Sequence, residues 1–217
     1  MNMFAKQNKE SEVTLREIPK GTKTWATVQL NKVQMYFPQL HHMETNTKFP
    51  VNKYSALLVI GNAGDVAYDS IAPLVVEMAQ KWFVKDGKPC TIADMGKNTF
   101  VKFEEGKEGK NIPYVGQHFI QPKRDPKHGV VPVVDSKVKV MTSDEVALIG
   151  SGAIVNARIS FGPFQVSSDV FGIMGSLDAI QIVKNGNMSG IAREDNVSQF
   201  FAPEDGGFGF IQDEAPF

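Results

Sequence analysis

At 217 residues with 42% apolar side chains, the chain can bury a sizeable core, and its length suits one domain of generous size or a domain with appendages. The single cysteine, Cys90, excludes an intramolecular disulfide and fits a reducing cytoplasm; no apolar run nears the roughly 20 residues that span a bilayer, and the N-terminal stretch lacks the apolar region of a secretory signal. The net charge of -1 is unevenly spread: from Glu194 onward there are six acids and no Lys or Arg, while residues 1–193 hold 23 bases and 18 acids, a balance of +5. A mildly basic body with an acidic tail points toward a nucleic-acid partner.

In chain order, residues 1–20 show no periodic apolar pattern and are expected to be flexible. "TWATVQLNKVQMYFPQL" (24–40) is rich in β-branched and aromatic residues and reads as a long strand stopped at Pro38. "NKYSALLVIG" (52–61) is a second strand with a glycine stop. "DSIAPLVVEMAQKWFVKDG" (69–87) predicts the one principal helix. Asp69 or Ser70 would cap it, Pro73 would sit in its first turn, and Gly87 would end it. Residues 86–113 are charged and loop-rich, with one short strand near 99–103. Four further β segments follow at 116–124, 129–136, 150–164 and 170–186, the first two separated by the turn "DPKH". Helices do not alternate regularly with these strands, which argues against a doubly wound sheet. The pattern predicts a mainly β protein: a bent OB-fold-like barrel with one principal helix and long loops.

Catalytic motifs are lacking. "IGSGAIV" (149–155) has two of the glycines of a dinucleotide loop, but Val155 takes the third position and the segment continues as strand, so no helix N-terminus receives a pyrophosphate. "GKEGKN" (106–111) lacks Walker spacing. His41, His42, His118 and His128 are not in a zinc spacing with cysteine or acids. The paired acids Glu104-Glu105 and Asp144-Glu145 fall in charged loops. No catalytic residue, metal site or cofactor is expected.

What remains is a set of bases and aromatics on strands. In "AIVNARISFGPF", Ala153, Val155, Ala157, Ile159 and Phe161 face one way, while Ile154, Asn156, Arg158 and Ser160 face the other, either as a solvated sheet face or as a binding face. Phe164 ends that segment. Tyr114, Phe119, Lys123, Arg124 and Lys127 cluster on "YVGQHFIQPKRDPK", and Lys53 and Tyr54 begin a third strand. Cations that follow a backbone, interleaved with rings that stack on bases, are what single-stranded nucleic acid requires.

Four segments in order, "KYSALLVI", "GQHFIQPKRDPKHGVVPVVDS", "SGAIVNARISFGPF" and "GSLDAIQIVKNG", resemble the single-stranded DNA-binding proteins of tailed phages over roughly residues 24–190. The resemblance implies an OB-fold core, no enzymatic activity, and a sequence-tolerant role coating single-stranded DNA in phage replication, recombination and repair, in the cytoplasm of the infected host. The chain departs from the family where Ile154 and Gly162 replace outward aromatic or basic side chains, and where His118 replaces an aromatic. The terminal "DEAPF" is similar to the tail tip of bacterial single-stranded DNA-binding proteins. That implies that Asp213, Glu214, Pro216 and Phe217 recruit replication or recombination proteins, with Gly206, Gly207 and Gly209 keeping the linker flexible. The expected organisation is a binding domain over 1–193 and a disordered, acidic protein-interaction tail over 194–217, with no membrane association and homo-oligomerisation left open. The competing readings are an OB-fold adaptor that mainly binds protein, and an enzyme with an unrecognised site.

Overall fold

Side-chain alternation builds the largest elements. In the computed structural model, which describes residues 13–16, 25–41, 53–96 and 99–186, the strands are β1 (Val13–Leu15), β2 (Ala26–Gln39), β3 (Tyr54–Gly61), β4 (Phe83–Lys85), β5 (Lys88–Pro89), β6 (Lys102–Phe103), β7 (His118–Ile120), β8 (Lys123–Arg124), β9 (Val133–Val134), β10 (Ala153–Gln165) and β11 (Phe171–Lys184). The helices are α1 (Val66–Trp82), α2 (Ile92–Met95) and α3 (Ser143–Ala147), with a 3-10 turn at Pro126–His128. On β10 the expected alternation holds: Ala153, Val155, Ala157, Ile159 and Phe161 are all fully buried, and Arg158 between them is exposed. The residues expected as a core face are therefore the core face.

The protein is mainly β. One eight-stranded sheet runs in the order β6-β7-β3-β2-β10-β11-β9, with β8 also on β3. All its pairs are antiparallel except β11 with β9. β7 and β8 occupy successive stretches of one edge of β3. The sheet bends until β8 packs against β11, giving the OB-fold-like barrel. Across that seam the Arg124 guanidinium donates from Nη1 to the Leu177 carbonyl at 3.5 Å, while its Nε and Nη2 donate to the carbonyls of Gly129 (3.0 Å) and His128 (2.6 Å).

Sheet curvature comes from extra residues. Opposite Asn156 on β10, β2 inserts an additional residue at Asn31-Lys32, and Lys32 takes a left-handed φ of 55°. The Asn156 side chain holds this bulge. Its Oδ1 accepts from the Lys32 backbone N–H at 2.9 Å, and its Nδ2 donates to Gln181 Oε1 at 2.8 Å. Pro38 does not stop β2. The strand passes through it to Gln39 by way of a register shift, with Phe37 at a φ of 48°.

The helix differs from its predicted bounds at both ends. It begins at Val66, after Asp65, whose carboxylate accepts from the Asn62 N–H at 2.8 Å. Pro73 therefore lies in its interior. It ends at Trp82, because Phe83 is buried against Phe171, with ring centroids 5.0 Å apart, as the first residue of a hairpin. Gly87 caps no helix. With Asp86 it turns β4 into β5, both residues at positive φ (51° and 76°), the conformation that an Asp-Gly pair favours in a tight hairpin.

The core holds Met35, Leu58, Ile60, Ile71, Val75, Phe83, Ile120, Phe161, Phe171 and Leu177, with α1 packed on it. A smaller cluster sits on the other side of β3, where Leu57 and Val59 meet Tyr36, Tyr114, Ile112 and Phe119. β3 is thus covered on both faces, which explains its unbroken apolar run. Nearby, α2 is fixed by Asp94, whose carboxylate accepts from the Thr91 N–H (2.8 Å) and hydroxyl (2.7 Å) and from Lys85 Nζ (3.1 Å).

Candidate nucleic-acid interface

The candidate site combines the outward face of the β2-β10-β11 sheet with a cleft at its end that reaches past β11 to the core. At one end, a cleft of about 290 Å³ opens between β11, β8 and the strand entering β6. Lys53, Lys102 and Lys123 line it, together with Phe100, Phe164 and Met174. The two salt bridges among the described residues are Lys85–Asp94 and Lys127–Asp125, and neither involves these three lysines. Asp125 lies within electrostatic reach of Lys53 but bonds Lys127 instead, so three ammonium groups around one cleft repel one another and favour a polyanion between them. Phe100 lies edge-on to Phe161 at 5.0 Å and covers Gly175, where a Cβ would come within 2.4 Å of the ring. The floor beneath Phe100 is therefore apolar and closely packed.

Along β10 from this cleft, an aromatic appears that the sequence did not single out. Trp25, 43% exposed, lies across Gly162, and a Cβ on Gly162 would fall 2.6 Å from the indole carbons. Gly162 lacks the outward side chain expected from the resemblance, and the indole from the start of β2 takes its place. Beyond it, Thr27, Ser160 and Asp178 form a hydroxyl–hydroxyl–carboxylate row across three strands, with Thr27 and Ser160 3.0 Å apart and the Ser160 hydroxyl donating to Asp178. Arg158 follows, exposed and paired across to Gln29. Arg158, Ser160, Gly162 and Phe164 share one side of the strand.

The sequence-derived site residues divide among several places. Lys53, Lys123 and Phe164 meet in the lysine cleft. Asn156 and Arg158 lie on the same face farther along, at a second hollow, and Asn156 is occupied in holding the β2 bulge. Arg124 spends its donors on three carbonyls at the barrel seam. Tyr54 is buried in the main core, and Tyr114 is buried in the smaller cluster against Phe119 (centroids 5.5 Å) and Tyr36 (5.2 Å). Burial raises the phenol pKa of both Tyr36 and Tyr114 above its ordinary value. Lys127 pairs with Asp125 at 3.4 Å, and the Lys127 N–H that Asp125 accepts holds that carboxyl below its usual range. His118 sits between the rings of Tyr68 (4.6 Å) and Phe103 (4.8 Å), with Nδ1 3.0 Å from Asn62 Oδ1. Asp213, Glu214, Pro216 and Phe217 lie outside the described residues.

Lys102, Met174 and Trp25 are the additions. Lys102 stands in a stretch read only as loop with a short strand. Trp25 could have been found as an aromatic at the mouth of a strand whose neighbour has a glycine in an outward position. Among the described residues no group of three or more His, Cys, Asp or Glu is placed to hold a metal ion, and no helix is long and apolar enough to cross a membrane.

The same fold occurs in single-stranded DNA-binding proteins of two bacteriophages. The chain matches the single-stranded DNA-binding protein of bacteriophage Enc34, solved in complex with ssDNA, with a TM-score of 0.55 and 16% identity over 74% of this chain and 88% of that one. A further structure of the Enc34 protein matches with a TM-score of 0.52 and 16% identity over 87% and 99%. The gp2.5 protein, a single-stranded DNA-binding protein encoded by bacteriophage T7, matches with a TM-score of 0.50 and 16% identity over 87% and 100%. The sequence matches no family model and no curated protein.

Proposed function

We propose that this chain is a non-enzymatic, sequence-tolerant single-stranded DNA-binding protein acting in phage DNA replication, recombination and repair. The observation that carries the reading is a cleft with three lysines that form no salt bridge among the described residues, which adjoins through Met174 and Phe164 the β10 face bearing the Trp25 indole and Arg158. Phosphates run along the cations, and unpaired bases stack on the exposed ring. Lys53, Lys102, Lys123 and Arg158 supply the charge, and Trp25 and Phe164 the stacking surface. A duplex hides its base faces within its own stack, so the site favours single strands. The Enc34 protein of the same fold has been solved with ssDNA bound. The tail, residues 194–217, recruits replication or recombination proteins: Phe217 enters an apolar pocket on the partner while the acids steer the encounter. The host cytoplasm is the setting.

The test is a salt titration of fluorescent single- and double-stranded oligonucleotides. Tight, salt-sensitive binding that favours the single strand supports the reading. Replacing Lys102 and Lys123 by alanine flattens the log–log salt slope by about 0.7 per lost phosphate contact. Equal affinity for duplex and single strand counts against the reading, and absence of binding at low salt favours the adaptor that mainly binds protein.

A further inference from the structure

We infer that the second hollow on the sheet face is a pocket for one unstacked nucleobase of the bound strand. The hollow, about 210 Å³, has Arg158 and Gln29 at one side, Val134 and Pro132 on its apolar side, and Val138 at its rim. It extends the proposed single-strand face and rests on that reading.

Three observations support it. The first is the backbone of Val138. This β-branched residue is held at a φ of 65°, a conformation that costs free energy and persists only where its surroundings enforce it. Those surroundings are visible. The Asp135 carboxylate accepts from the N–H groups of both Lys137 (2.8 Å) and Lys139 (2.9 Å), and the Val138 N–H donates to the Asp135 carbonyl at 3.0 Å. Gln181 then ties the turn to the sheet, its Nε2 donating to the carbonyls of Asp135 (3.3 Å) and Ser136 (3.4 Å). The result is a valine, 68% exposed as a residue, held at an apolar hollow where an uncommitted loop would turn its side chain away from water.

The second observation is charge. Arg158 lines the hollow, and Lys137 and Lys139, the exposed neighbours of Val138 in the chain, are in no salt bridge among the described residues, with Glu145 within electrostatic reach of Lys139. The one carboxylate in the turn, Asp135, is occupied by backbone donors. An apolar slot with a guanidinium in its lining and lysines in the adjoining turn suits a base whose phosphates lie outside it.

The third is continuity. Arg158 and Gly162 are on the same side of β10, so the hollow begins roughly 13 Å along the strand from the Trp25 platform. A single strand leaving the lysine cleft and crossing Trp25 arrives at this hollow.

The experiment follows the valine methyl NMR signals of the full chain during titration with oligodeoxythymidylate, with Trp25 fluorescence recorded in parallel. The expected result is that the Val134 and Val138 methyl signals shift and saturate together with the Trp25 quench. Val138→Gly, which removes the side chain and relieves the backbone, raises Kd about fivefold and leaves the salt slope unchanged, since no phosphate contact is lost. If Trp25 is quenched while the methyl signals stay in place, or if Val138→Gly binds with the wild-type Kd, the pocket is overturned and the single-strand reading stands. If oligodeoxythymidylate neither quenches Trp25 nor binds, the single-strand reading falls and the pocket falls with it.

Discussion

Trp25 and Gly162 work as one unit, because the ring occupies the volume of the missing side chain. Trp25→Ala should weaken single-strand binding about tenfold, within the range for one base–aromatic stack, with little change in salt dependence. Gly162→Ala leaves every cation and the indole in the chain but drives the ring from its seat. It should cost a similar factor in affinity and about 1–3 kcal/mol of stability from overpacking. Fluorescence anisotropy and urea unfolding measure the two quantities, and Trp82, buried at 5% exposure, adds only a background to the Trp25 signal. A Gly162→Ala protein with unaltered affinity would show that the indole is not a stacking surface. These two residues were not legible as a pair because the strands that bring them together lie far apart in the chain. Tyr54 and Tyr114 illustrate the converse. An aromatic that fills a core and one that stacks on a base are the same residue type, and only the fold separates them.

Among the elements, α2 is short enough that its first-turn hydrogen bonds decide whether it forms. The Thr91 N–H and hydroxyl that Asp94 accepts, with Lys85 beside it, hold its carboxyl below the usual carboxylate range. A depressed folded-state value contributes stability that is complete above the unfolded pKa and is lost as pH falls through the folded one. Asp94→Ala should therefore cost about 1 kcal/mol at neutral pH. Its unfolding midpoint should converge with that of the native chain as pH drops from about 5 through the lowered value, as urea titrations across that range would record. A gap that stays constant down to acid pH would remove the carboxylate from the explanation. The strands were the legible part of the fold. β10 alternates cleanly because a long strand lies on each side of it and one face meets the core. The ends of α1 were not legible: Asp65 starts the helix before the apolar periodicity begins, and the Asp-Gly pair read as its stop belongs to the next hairpin. The bulge at Lys32 escaped notice because it depends on a side chain, Asn156, from another strand.

For the molecule as a whole, the proposed division of labour separates a cationic sheet face from an acidic tail. Deleting Asp213–Phe217 should leave the fold intact and should leave single-strand affinity unchanged or raise it, since removing negative charge near cations does not weaken phosphate binding. Capture of replication or recombination proteins from infected-cell extract should be lost, most of it already with Phe217→Ala, which removes the apolar anchor and spares the acids. Identical partner sets for full and shortened chains, or markedly weaker DNA binding, would end the recruitment reading. The barrel seam bears on how a strand enters. Elsewhere the sheet is joined by backbone ladders, whereas β8 and β11 pack together without one, and the Arg124 guanidinium reaches the Leu177 carbonyl across the seam at 3.5 Å. A join without a ladder is less cross-linked than the rest of the sheet, and it borders the lysine cleft through Lys123. Amides of β8 should therefore exchange with deuterium faster than those of β10, and bound oligonucleotide should slow them most, since a strand whose phosphate meets Lys123 while its base packs on Met174 of β11 would act as a clasp on the protein that binds it.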